Sequence, residues 1–377
     1  MAFTGKATYD AGTSLPEIAE DISDVVSIVS PYETPLLNHL GDAPYSAKST
    51  VHEWLEDTLQ PNTSLLAVAL SAVETEIESQ HAGTFRVGDL VRIEGSSEVM
   101  LVTSANSAEE TAIAIRGYGG TTATTHTSGT KVYIIGNATL EGGEAGDVRY
   151  TNRTRKQNYT QILSAKVNVS GSVLATKTIG IADELDYQKQ ERLRELMRDL
   201  ENSVINGVAP ASNQQGNSTT RRSMNGLTSL IQTNVSAAGG AALTEDLLNS
   251  TLRGIWEESS SHIDTILVNG FQKRQINQFI TSSRGFDASD RKFSDLVSVY
   301  ESDFGVCRVI MSRWVPQDSV LLLDSSRISV LPLTGRSFHY KTLASTGDSE
   351  NGMVVGEYTA EVRNEQAHGI IDGLSTS

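Results

Sequence analysis

Apolar positions recur along the chain in different rhythms. Over 182–206, Leu185, Leu193, Leu196, Met197, Leu200 and Val204 fall at helical spacing and predict one long amphipathic helix. Asp183 and Glu184 lie in its first turn, where carboxylates complement the helix dipole, and Gly207 follows as a stop. Glu191 with Arg194, and Glu195 with Arg198, are spaced i,i+3 as ion pairs on its surface. At 1.5 Å per residue such a helix spans roughly 35–40 Å.

Across 80–138 the period shortens to two. Residues 85–93, 98–103, 111–116 and 131–135 predict short strands separated by glycine-rich turns, among them Gly117-Tyr118-Gly119-Gly120. The block reads as a small β-barrel or sandwich inserted in a longer extended region. Just before it, Ser64 to Val73 is apolar and suits a strand or a short helix equally. Ile162 to Val169 predicts a further strand.

From 243 to 335 helices and strands alternate. Thr244-Glu245 caps a helix running to about Ser260, 263–268 is a strand, 271–280 a helix, and 306–312 and 320–323 are strands. Residues 337–363 predict a closing hairpin, with Gly347-Asp348 and Asn351-Gly352 at its turn.

Residues 1–60 hold 10 acidic side chains and two basic ones, Lys6 and Lys48, and Pro31, Pro35 and Pro44 forbid a long helix there. Their scattered apolar residues (Ile18, Val25, Leu36, Leu37, Trp54) cannot build a core alone. The segment therefore reads as an arm that orders only against a neighbouring molecule, with the long helix as its dock because Arg192, Arg194 and Arg198 offer positive charge.

Composition narrows the function. The 377-residue chain is 38% hydrophobic and carries 31 Gly, which points to extended segments and modest cores. A net charge of −16 and the lack of a Lys/Arg run argue against a free-standing nucleic-acid binder and against anionic membranes. The N-terminus carries no apolar signal core. One cysteine, Cys307, excludes an internal disulfide and fits a reducing compartment. It sits in an alternating run that predicts a buried structural thiol.

Candidate chemistry is thin. The seven histidines are scattered, with no metal-ligand spacing. Glu141, Glu144 and Asp147 match no calcium loop, and Asp287 and Asp290 form an isolated acidic pair in a Ser-rich stretch. There is no phosphate-binding loop and no nucleophile elbow. No enzyme and no cofactor are expected.

The order of segments is more telling than any motif. Pro35-Leu36-Leu37, Glu53-Trp54-Leu55-Glu56-Asp57-Thr58-Leu59, Arg116-Gly117-Tyr118-Gly119-Gly120-Thr121-Thr122 and Asn158-Tyr159-Thr160-Gln161-Ile162-Leu163 precede the helix, which holds Glu184-Leu185-Asp186-Tyr187-Gln188 and Arg198-Asp199-Leu200-Glu201. Met224-Asn225-Gly226-Leu227 and Glu357-Tyr358-Thr359 follow. In this order they resemble the Hong Kong 97-type major capsid proteins of tailed bacteriophages, in the branch with a β-rich insertion in the extended loop.

The resemblance implies an α+β fold with five parts. These are an N-terminal arm (1–60), an extended loop (61–165) with a β-barrel-like insertion domain (80–138), a peripheral domain (166–229 and 331–377) with spine helix 182–206, and an axial domain (230–330). It implies hexamers and pentamers in an icosahedral shell around double-stranded DNA held without sequence-specific contacts. It also implies portal, scaffold and decoration proteins as partners, no membrane, and assembly in the bacterial cytoplasm into a virion capsid. The arm motif begins almost at once, so a separate scaffold protein is expected. Trp54, Asp57, Arg153, Arg155, Lys156, Arg192, Arg194 and Arg198 are the expected intersubunit contacts. Arg153, Arg155 and Lys156 also form the best basic patch, for which carboxylates of a neighbour are better partners than DNA phosphates. The competing reading is a tail or baseplate protein with a carbohydrate-binding β module, against which the long helix argues.

Overall fold

A computed structural model describes residues 33–43, 45–81, 84–106, 110–143, 151–176, 183–259, 261–283, 299–345 and 347–376. In chain order the first half comprises α1 (Pro35–Leu40), β1 (Val51–Glu56), β2 (Thr63–Leu65), β3 (Glu76–Glu78), β4 (Asp89–Ile93), β5 (Val99–Asn106), β6 (Thr111–Ile115), β7 (Lys131–Asn137), β8 (Thr154–Tyr159), β9 (Gln161–Ser170), α2 (Gly171–Ala175) and α3 (Glu184–Asn206). The second half comprises α4 (Leu227–Leu230), β10 (Val235–Ala237), α5 (Glu245–Ser259), β11 (Thr265–Val268), α6 (Gly270–Ser283), β12 (Val299–Ser302), β13 (Gly305–Met311), β14 (Val320–Leu323), β15 (Ile328–Pro332), β16 (His339–Thr342), β17 (Ser349–Val362) and β18 (Gly369–Asp372). The chain divides into two compact units, Leu55–Arg155 and Met1–Trp54 with Lys156–Ser377. The division falls inside β1 and β8, which pair as a two-stranded ribbon.

In the smaller unit six strands run in the order β2-β7-β4-β5-β6-β3. The ends meet: Leu66 and Ser79 form an antiparallel bridge, Ala67 N donates to Glu78 O (2.9 Å) and Gln80 N to Leu65 O (3.0 Å), so the sheet closes into a barrel without free edges. Strict alternation fills it: Val91 and Ile93, Met100 and Val102, and Ala112 and Ala114 point inward on successive strands. The stretch from Ser64 to Val73, which suited a strand or a short helix equally, opens in β2, and β3 follows it at Glu76–Glu78. The sheet thus begins at Thr63, upstream of the expected start at 80; strands of three residues are too short to display a period.

The larger unit holds two sheets. One has six strands in the order β10-β18-β14-β11-β13-β12, with β10/β18 and β11/β13 parallel and the rest antiparallel. Leu248, Leu252 and Ile255 of α5 and Ile276 of α6 pack into its core. Here β18, from the segment expected in the peripheral domain, returns beside strands of 235–323. The second sheet is built on β17, which pairs with β15 and β16 along one edge and with β9 along the other over ten registered positions. Asn351-Gly352 therefore lies within β17 and not at the hairpin turn, which falls between Thr342 and Ser349. A ladder of that length overrides the local turn preference of the dipeptide.

Helix α3 packs on this sheet. Asp183 caps it, accepting from the backbone N of Leu185 (2.8 Å) and Asp186 (3.2 Å). Its buried residues are Leu196, Leu200, Glu201, Val204 and Ile205. Leu193, placed in the apolar stripe, is 37% exposed, and a carboxylate stands in the stripe instead. Gly207 ends the helix without a left-handed turn, at φ −58°. Its role is close approach: a side chain there would meet Ser203 O at 2.3 Å and Met224 O at 2.7 Å. The Glu191–Arg194 pair forms (2.7 Å), but Glu195 pairs with Arg192 (2.8 Å) and Arg198 turns elsewhere.

The arm expectation needs revision for its described part. Residues 33–54 pack in the larger unit of their own chain, and Leu36 is fully buried with Leu200, Val204 and Ile231. Pro35 opens α1, where the missing N–H costs nothing. Ile18 and Val25 lie outside the described residues.

Candidate functional site

Three buried carboxylates organise the contacts of the larger unit. Glu201, on the buried face of α3, accepts the backbone N–H groups of Leu36 (3.1 Å) and Leu37 (3.0 Å) and the Ser312 hydroxyl (3.3 Å). Those amides belong to the first turn of α1, which has no side-chain cap of its own. Burial pushes the Glu201 carboxyl above its ordinary range, against the opposing pull of the two amides and Ser312. One turn away on α3, Arg198 reaches Glu33 (3.6 Å), which Arg313 also holds (2.8 Å), and Trp314 Nε1 donates to Glu33 O (3.0 Å).

The other two line β17. Glu361 accepts from the Tyr45 hydroxyl (2.9 Å), from Arg363 Nε (2.5 Å) and from the ring of His52 on β1 (2.5 Å). Burial raises its pKa, but His52, Arg363 and Tyr45 outweigh burial and hold the carboxyl at about 2. Four residues earlier, Glu357 takes Arg222 (2.5 Å), Arg336 (2.8 Å) and the Thr160 hydroxyl (2.6 Å). Asn158, fully buried, donates to Asn225 O (2.9 Å) and Ala360 O (2.7 Å) and so fixes β8 to β17.

The barrel has its own charged centre. Glu98, fully buried, takes Arg116 through Nε (2.7 Å) and Nη2 (2.9 Å), with Thr124 N (2.9 Å) and His126 Nε2 (3.1 Å) beside them. The remaining Arg116 donors reach Ser71 O (2.5 Å), Glu74 O (2.7 Å) and Thr124 O (2.6 Å). All five N–H groups of the guanidinium are used. Desolvation works against the Glu98 charge, but Arg116, Thr124 and His126 hold the carboxyl at about 2. The following residues Gly117, Gly119 and Gly120 adopt φ of 63°, 71° and 83°, the left-handed region open to glycine.

The residues expected between subunits are all at least partly exposed, and their pairings lie within single units of this chain. Arg153 pairs with Asp57 (3.6 Å), whose pKa is lowered first by the Thr151 hydroxyl. Lys156 lies 3.9 Å from Glu365, and Trp54 stacks near His52, ring centroids 5.9 Å apart. Arg155 stands exposed on β8. Arg192, Arg194 and Arg198 pair as described above, and the Arg192 Nε is buried without a hydrogen-bond partner. Exposed pairs of this kind contribute about 0–1 kcal/mol each, so exchanging them for another partner costs little.

A family model described as the SU10 major capsid protein matches residues 3–375. The chain belongs to the SU10 major capsid protein family. Its role is accordingly structural, in the head of a tailed phage. The major capsid protein of Escherichia phage Phieco32 is 25% identical over 285 residues, covering 62% of this chain and 80% of that one. Solved structures agree on the fold. The capsid of an empty GTA particle has a TM-score of 0.57 at 8% identity and covers 98% of this chain and 100% of its own. The cyanophage A-1(L) capsid gives 0.54 at 11% identity, covering 99% and 100%. Mycobacterium phage Cain gives 0.51 at 10%, covering 97% and 98%. The capsid chain is thus α+β with a Hong Kong 97-type fold, as the segment order implied.

Sequence reasoning missed Glu98, Glu201, Glu357 and Glu361 as the organising residues. A usable signal was present for the last two: acidic residues inside a run otherwise rich in apolar neighbours such as Val354, Val355, Ala360 and Val362. Cys307 is buried as expected, its thiol pushed up to about 11 by burial. Among the described residues no group of three or more His, Cys, Asp and Glu is arranged to hold a metal, and no helix is long and apolar enough to cross a membrane. Glu144, Asp147, Asp287 and Asp290 lie outside the described residues.

Proposed function

We propose that this capsid chain assembles as hexamers and pentamers of an icosahedral shell enclosing double-stranded DNA, without sequence-specific contacts. The observation that carries the reading is the family match along 3–375, which spans both units. Large apolar side chains left in solvent, Leu59 (94% exposed), Val73 (87%) and Leu140 (86%), support it, since a shell offers them neighbours. In this reading 230–330 is the axial domain, 166–229 and 331–377 the peripheral domain, 61–165 the extended loop with its inserted barrel, and 1–60 the arm. Trp54, Asp57, Arg153, Arg155, Lys156, Arg192, Arg194 and Arg198 exchange their present partners for those of neighbouring copies. Portal, scaffold and decoration proteins complete the head, which forms in the bacterial cytoplasm, and the chain performs no catalysis.

Light scattering and negative-stain electron microscopy of the purified chain at micromolar concentration test this. Shells or hexameric rings are expected. Trimeric rods or discs would favour a tail protein, and a monomer inert across salt and crowding conditions would overturn the assembly reading.

A further inference from the structure

The stretch from Glu33 to Trp54 is held to the larger unit at two buried carboxylates that share no hydrogen-bond partner. At the first, Glu201 takes only neutral donors, the amides of Leu36 and Leu37 and the Ser312 hydroxyl. The charged groups beside it pair with each other: Glu33 with Arg198 and Arg313. His39 is engaged by the Thr265 hydroxyl. At the second, Glu361 takes His52, Tyr45 and Arg363, and nearby Ala47 is tied to the sheet through Pro332 O (2.9 Å) and Thr334 N (2.8 Å).

Between the two, Gly41 and Asp42 are exposed. Gly41 has φ +69° and nothing within 4 Å of the place a side chain would occupy. A cavity of about 440 Å³ lies there, lined among others by Leu37, Asn38, Asp42, Met197, Leu200 and Tyr358. Separated sites without shared partners usually contribute additively, and the cavity leaves a gap in the packing along the stretch that joins them.

We propose that this stretch is a strap with two clasps, Glu201 and Glu361, that open independently of each other. The inference rests on the shell-building role proposed above. A subunit that serves in both hexamers and pentamers meets different neighbours, and separate clasps let the arm end and the loop end of the strap adjust one at a time.

Hydrogen exchange on the free full-length subunit tests it. In Glu201→Ala the Leu36 and Leu37 amides lose their acceptor. Exchange across α1 should rise about ten-fold or more, while residues 45–54 exchange as in the wild type. Glu361→Ala should do the reverse. Glu201→Gln keeps an acceptor oxygen and should fall between wild type and Glu201→Ala. Acceleration of both segments in either variant, or of neither, overturns the proposal. So does acceleration that reaches the central strand β14, because the clasp would then be inseparable from the fold. The measurement uses free subunits, so a failure to form shells would sink the assembly role and leave this result intact.

Discussion

Inside the barrel the Glu98 carboxylate and the Arg116 guanidinium form a forked pair, 2.7 and 2.9 Å, with the carboxylate fully buried. The pair joins the loop residue before β5 to the loop after β6, and the same guanidinium gathers carbonyls from 71, 74 and 124. Arg116→Lys keeps the charge but cannot fork or reach three carbonyls. Removing one partner of a buried pair typically costs about 3–5 kcal/mol. Arg116→Ala should therefore raise exchange throughout β4–β7 and leave β14 and β17 unchanged, and Arg116→Lys should recover only part of the loss. Wild-type exchange in Arg116→Ala would show that the fork contributes nothing.

Gly117 follows that arginine at φ +63°, and a methyl group there would meet Thr121 O at 2.7 Å. Gly129 has a similar φ of +80° with open space around it. A left-handed conformation alone costs an L-residue about 1–2 kcal/mol. Gly129→Ala should show that cost, and Gly117→Ala more, in denaturant unfolding of the barrel. Equal losses would mean that the loop yields and the contact is unimportant.

Acid should loosen the larger unit in two stages. His368 is fully buried, its Nδ1 accepts from Asp324 N (3.2 Å) and its Nε2 has no partner. Burial, the largest cause, lowers its pKa to about 4 from 6.5. The unfolded ring then takes a proton below pH 6.5 while the folded ring resists until about 4. Stability present above pH 6.5 is lost as pH falls through that window, by about 3 kcal/mol for a single ring. Glu361, held at about 2 against an ordinary 4.5, adds a second loss between those values, with the same sign. Thermal unfolding of wild type and His368→Asn from pH 7 to 3 separates the stages: the variant should lack the loss of stability that the wild type shows between 6.5 and 4.5. An unchanged slope there would assign the acid loss to other groups.

How much of this was legible depended on range. Helix α3, the barrel strands β4–β7 and the alternation after 243 follow from local periodicity, because each buries one face along its own length. Glu201 was illegible for the same reason. A lone carboxylate in an apolar stripe reads as a solvated position unless α1, 165 residues away in sequence, is known to begin on it. The joining of β18 to β14 and the persistence of β17 through Asn351-Gly352 are likewise set by partners distant in sequence. Among the ion pairs, spacing alone could not tell whether Glu195 would take Arg192 or Arg198, since both lie three residues away. Glu33 decides it by drawing Arg198 off.

That choice separates two sources of arm attachment. Leu36 is fully buried among Leu200, Val204 and Ile231, so Leu36→Ala removes apolar contact and leaves a cavity, at about 2–5 kcal/mol. Glu33 acts through Arg198 and Arg313, whose side chains are 39% and 62% exposed, so Glu33→Ala should cost under about 1 kcal/mol. Salt distinguishes them. The Debye length falls from about 10 Å at 0.1 M to 3 Å at 1 M, so the Glu33 effect should vanish at high salt while the Leu36 effect persists. Exchange of the Leu37 to Leu40 amides at both salt concentrations is the measurement. If the Leu36→Ala loss shrank with salt and the Glu33→Ala loss did not, charge and not burial would be what holds the arm to the spine helix.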